Sequence, residues 1–93
     1  MKKQTYASVW DALEDTPEAA ASMRVRAELM IAVQRYVEAS SETQAKAAKH
    51  LGLTQPRLND LLRGRIEKFS LDALVNMLAR VGKRVAVTVK RAA

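Results

Sequence analysis

Between residues 43 and 68 the chain gathers side chains suited to planar hydrogen-bonding partners and to anions. The amide of Gln55 can pair bidentately with an adenine edge, and the guanidinium of Arg57 can do the same with guanine. Asp60 can accept from a cytosine amine, or it can orient Arg57 or another nearby cation. Pro56 offers only apolar contact, of the kind a thymine methyl makes. Around these residues stand six cations, Lys46, Lys49, Arg57, Arg63, Arg65 and Lys68, opposed only by Asp60 and Glu67, so the stretch carries +4. The net charge of +6 is unevenly spread: residues 1–22 sum to −2, residues 23–42 to zero, and residues 69–93 to +4. An even scatter would speak only of solubility, whereas this asymmetry is a polyanion footprint. Charge by itself does not decide whether nucleic acid is the partner.

Two short helices must hold these groups. Thr43 is a hydroxyl cap for a helix over residues 44–51 that Gly52 stops, and Thr54 caps a second over residues 55–63 that Gly64 closes. Pro56 costs little there, because first-turn amides lack helical partners anyway. Upstream, Thr16-Pro17-Glu18 is a start signal for a helix reaching about Ala39. Leu29, Ala32, Val33, Tyr36 and Val37 keep the spacing of a buried stripe. Met23, Ala27, Met30 and Ile31 widen it, which predicts a helix covered on two sides. Residues 7–14 read as a short amphipathic helix with Val9, Trp10 and Leu13 available to pack. Downstream, Ser70 caps a helix with the stripe Leu71, Leu74, Val75, Leu78 and Val81, ended by Gly82; Phe69 and Leu74 suit a hydrophobic staple.

The period then changes. Residues 84–91 alternate, with valines at 85, 87 and 89, which predicts a strand with one buried face. Nothing else in the chain reads as a strand. A lone strand leaves its backbone groups and valine face unsatisfied, and the same strand of a second copy is its simplest partner. Val85, Val87 and Val89 are therefore the expected interface of a homodimer.

The remaining composition narrows the function. With 93 residues, 48% of them hydrophobic, the chain suits one small domain with an aliphatic core. It has no cysteine, which excludes disulfides and thiolate metal sites and fits a reducing compartment. His50 is the only histidine and has no metal-ligand spacing around it; with Lys46 and Lys49 it reads as a solvated face. No nucleophile–base motif and no glycine-rich phosphate loop is present, so no enzyme, metal or cofactor is expected. Residues 1–6 lack the apolar run of a signal peptide, and no segment approaches a membrane span, so the expectation is a soluble cytoplasmic protein. Three regions follow: an arm with a short helix over 1–15, a domain over 16–83, and a dimerisation strand and tail over 84–93.

The stretch over residues 43–64 resembles the helix-turn-helix of phage-repressor-like (XRE-type) DNA-binding proteins. Gln44 opens the first helix, small Ala48 lies at the helix crossing, Gly52 and Leu53 make the turn, and Leu58 and Leu61 point inward. The resemblance implies an all-α, five-helix, lambda-repressor-like fold, here with one C-terminal β-strand pairing across a homodimer. It implies that residues 54–63 are the recognition helix, with Thr54, Gln55, Pro56, Arg57, Asn59 and Asp60 facing base edges. Thr43 and Gln44 would meet a backbone phosphate, as would Arg63, Arg65 and Lys68. Residues 9–13, 28–33, 69–78 and the valine tail are similar to the short regulators of the HigA antitoxin type. That branch implies a repressor of its own operon, bound to a pseudo-palindromic double-stranded operator, with a RelE/HigB-like toxin as a protein partner. Two other readings of the residues stay open: a protein-interaction module that neutralises a toxin with little specific DNA binding, and a non-specific nucleic-acid binder.

Overall fold

The computed structural model describes residues 16–92. Four α-helices and one 3-10 turn follow one another: α1 (Pro17–Ala39), α2 (Gln44–Leu51), α3 (Gln55–Leu62), the turn Ile66–Lys68, and α4 (Leu71–Arg80). Each helix begins at the hydroxyl residue that predicts it. Thr16, Thr43, Thr54 and Ser70 each accept, through the side-chain oxygen, from the backbone N–H three residues on, at 3.0, 3.2, 3.2 and 3.1 Å. These bonds satisfy donors that no helical carbonyl can reach.

Helices of eight residues, such as α2 and α3, are too short to be stable alone, so packing holds them. Leu51, Leu58, Leu61, Phe69, Leu74 and Val33 are the largest fully buried side chains. The core packs α1 against α4, with α2 against α3 and α4, and with α3 and the 3-10 turn, whose Ile66 is buried, against α1. Ala47 and Ala48 are buried where α2 meets its neighbours, as a close helix crossing requires.

The α2–α3 turn depends on Gly52. Its φ is +77°, and the two amides after Leu51 fold back on the helix: Gly52 N–H donates to Lys49 O at 3.1 Å and Leu53 N–H to Ala48 O at 2.8 Å. A Cβ at this position would stand 2.7 Å from Arg80 Nε.

Three sequence expectations change, and one falls on residues that are not described. The helix over 7–14 lies outside the described residues, so the five-helix count becomes four α-helices among those described. The helix expected over 55–63 ends at Leu62, with Arg63 as its C-cap. The line Met23, Ala27, Met30, Gln34 and Val37 of α1 faces the core, with Val33 fully buried and Leu29 and Tyr36 packed partly buried beside it; of the residues expected to be covered, Ala32 is exposed and Ile31 is 45% exposed. The polar Gln34 sits in that line because its Nε2 donates to the Leu61 carbonyl at the end of α3, at 2.9 Å. Finally, the strand expected over 84–91 is not formed, and no strand exists among the described residues. A strand needs ladder partners, and the helices among the described residues have none to offer. Val85 is half-buried against the core, while Val87 and Val89 are 79% and 91% exposed.

Candidate nucleic-acid interface

Helix α3 turns Leu58 and Leu61 into the core and leaves Gln55, Pro56 and Asn59 exposed on its opposite side, with Arg63 at its end. The spacing that buries the leucines therefore fixes which polar groups face outward. Thr54 is exposed, but its hydroxyl oxygen is engaged as the α3 cap. Thr43 is likewise the cap of α2, and Gln44 beside it is exposed at the first position of that helix. The N-termini of α2 and α3 both open to solvent, but α3 offers an anion little from its backbone: Pro56 has no N–H, and those of Arg57 and Leu58 are bonded to Thr54.

Arg57 and Asp60 are arranged differently from their outward-facing neighbours. Arg57 is half-buried: its guanidinium lies 4.3 Å from the centre of the Phe69 ring, and its Nη1 donates to the Lys68 carbonyl at 3.0 Å. Asp60 faces two cations beyond the helix, with Oδ1 3.8 Å from Arg65 Nε and Oδ2 3.7 Å from Lys68 Nζ. The orienting role that sequence allows Asp60 falls on Arg65 and Lys68, not on Arg57. The segment from Arg63 to Phe69 is thereby tied to α3, while the ends of Arg65 and Lys68 stay 42% and 45% exposed. Val85, Val87 and Val89 belong to the C-terminal segment that follows α4.

Three contacts that support this face escape sequence reasoning. Gln34 holds the end of α3 from α1, and its only signal is a polar residue inside an apolar run. Phe69 serves as a platform for Arg57 besides its place before α4. Arg80 Nε donates to the His50 carbonyl at 3.3 Å and so links α4 to α2 beneath the turn. On the far end of α2, His50 Nδ1 and Glu42 make an exposed contact at 3.0 Å.

Residues 12–90 match the family model of a helix-turn-helix domain. The chain belongs to that family. The match spans the arm's end, all four helices and most of the valine tail, so the helix-turn-helix domain is nearly the whole chain. Membership points to DNA as the partner and to a regulator as the kind of protein. No curated protein matches the chain closely enough to count as a relative. No helix among the described residues is long and apolar enough to cross a membrane.

Proposed function

We propose that this helix-turn-helix domain is a sequence-specific transcriptional regulator, a repressor that inserts the first turns of α3 into the major groove of an operator. The observation that carries the reading is the outward face of α3. Gln55, Pro56 and Asn59 are exposed at its N-terminal half, and Arg63, Arg65 and Lys68 follow within one further turn and loop. Gln55 reads adenine, Asn59 extends the polar contact, and Pro56 meets a thymine methyl. Gln44 and the flanking cations bind phosphates, which supply affinity without sequence preference.

So few readers per subunit call for two copies. The exposed Val87 and Val89 support pairing of the C-terminal segments across a two-fold axis, where each becomes the other's strand partner. Two recognition helices so related read a pseudo-palindrome with half-sites about 34 Å apart, one duplex turn. The similarity to HigA-type regulators extends the proposal to autoregulation and to binding a RelE/HigB-like toxin. On this reading the protein is cytoplasmic, not an enzyme, and works without metal or cofactor.

The test is selection of duplexes from a randomised library, followed by titration of the recovered duplex against a scrambled one at fixed salt. A specific regulator binds the recovered duplex roughly a thousandfold or more tightly. Equal affinity for both leaves only non-specific binding and overturns the proposal.

A further inference from the structure

We propose that Arg57 is a positioning residue: it locks the segment from Arg65 to Phe69 onto the recognition helix, so that Arg65 and Lys68 are held ready for phosphate, and it does not itself read a base. The inference rests on the DNA-binding reading of α3.

The Arg57 side chain is already committed on two sides. One face of its guanidinium covers Phe69, a ring only 1% exposed, and Nη1 donates to the Lys68 carbonyl at 3.0 Å. To reach a base edge it would have to give up both contacts, and it would uncover a core ring to water. A lysine cannot replace it, because the planar fork lets arginine stack and donate at once. The anchored carbonyl belongs to the same residue whose ammonium serves the interface. Fixing Lys68 O therefore fixes where the Lys68 side chain starts.

The second half of the device is softer. Asp60 lies 3.7–3.8 Å from Lys68 Nζ and Arg65 Nε, too far for strong hydrogen bonds, and both cations are well exposed. Such pairs are weak in water, so an arriving phosphate can take the cations at little cost. Asp60 keeps them near the helix until then. Arg57 supplies the rigid tie, Asp60 the releasable one.

The experiment compares Arg57→Lys, Arg57→Ala and Phe69→Leu with the parent protein. Binding is titrated on the library-selected duplex and its single-base-pair variants, over a series of salt concentrations. Arg57→Lys keeps the charge and is expected to weaken all duplex variants alike, by about five- to tenfold. Its log–log salt slope should become shallower by about one, the loss of one phosphate contact. In an Arg65→Ala/Lys68→Ala background the same change should have no further effect. A relaxed preference at a single base pair in Arg57→Lys would make Arg57 a reader and overturn the proposal, as would an undiminished penalty in that background. Phe69→Leu keeps an apolar core residue but removes the ring, and should reproduce the Arg57→Lys profile.

Hydrogen exchange in the free protein separates this proposal from the DNA-binding reading. The amides of Lys68 and Phe69 donate to Arg65 O and Ile66 O at 3.0 and 3.2 Å. They should exchange at least several-fold faster in Arg57→Lys, with α1 and α4 unchanged. Unchanged exchange overturns the positioning role, whatever the DNA titrations give. Faster exchange in a protein whose parent prefers no duplex sustains the tie and overturns the operator reading alone.

Discussion

Replacing Gly52 by alanine should destabilise the domain mainly through its backbone, not through the side chain it would strike. Two costs can be separated in the structure. The residue sits at φ +77°, where an L side chain costs about 1–2 kcal/mol. The new Cβ would also stand 2.7 Å from Arg80 Nε, 3.0 Å from Cδ and 3.0 Å from Cζ. Arg80 is exposed and flexible, and what it would lose is one long bond to His50 O at 3.3 Å. An exposed bond of that kind contributes at most about 0.5 kcal/mol. The expected loss is therefore about 1–2.5 kcal/mol, dominated by φ, which in a domain this size lowers Tm by roughly 4–20 °C. Urea denaturation followed by circular dichroism measures it, with Arg80→Ala and the double variant completing a cycle. The coupling between the two sites should be about 0.5 kcal/mol or less. A Gly52→Ala penalty that vanishes in Arg80→Ala would make the clash, not the backbone, the reason glycine is required. A penalty under about 0.5 kcal/mol in the parent would refute both.

Three further outcomes follow from the packing. Leu58→Ala empties a fully buried site behind α3 and should cost about 2–5 kcal/mol in chemical denaturation. Gln34→Ala removes the bond from α1 to the Leu61 carbonyl; since Gly64 N–H also reaches that oxygen at 3.0 Å, the loss should be only about 0.5–1.5 kcal/mol. A larger loss would mean Gln34 matters through its packing. Val87→Asp puts a charge on the proposed intersubunit face while touching nothing buried in the single chain, so light scattering should find monomers of unchanged melting behaviour where the parent is a dimer. An unaltered dimer would mean that the copies pair elsewhere.

The parts of the fold legible in sequence are those decided within a few residues. A hydroxyl before each apolar run marks the starts of α1 to α4, because capping is a contact between neighbours three apart. Gly52 marks the turn for the same local reason. What sequence hides is what distant residues decide. On α1 most of the apolar stripe is legible, but the half-buried Gln34 is not; only the Leu61 carbonyl, 27 residues on, explains a polar group there. Arg57 reads as an outward arginine near the start of a recognition helix, and its turn toward Phe69 becomes visible only once the 3-10 turn brings that ring back. The valine alternation is a real pattern whose strand depends on a neighbour that the described residues do not supply. The outward set Gln55, Pro56 and Asn59, by contrast, follows directly from burying Leu58 and Leu61.

The most direct test of α3 as a reading helix is Gln55→Ala, measured on the library-selected duplex and on variants with each base pair changed in turn. Gln55 is exposed and outside the buried core, so the fold should be unaffected. Loss of one bidentate base contact should weaken the selected duplex by about 1–3 kcal/mol and erase preference at one base pair per half-site, with the salt slope unchanged. Binding that keeps its full sequence preference without Gln55, or that weakens equally on every duplex, would contradict it.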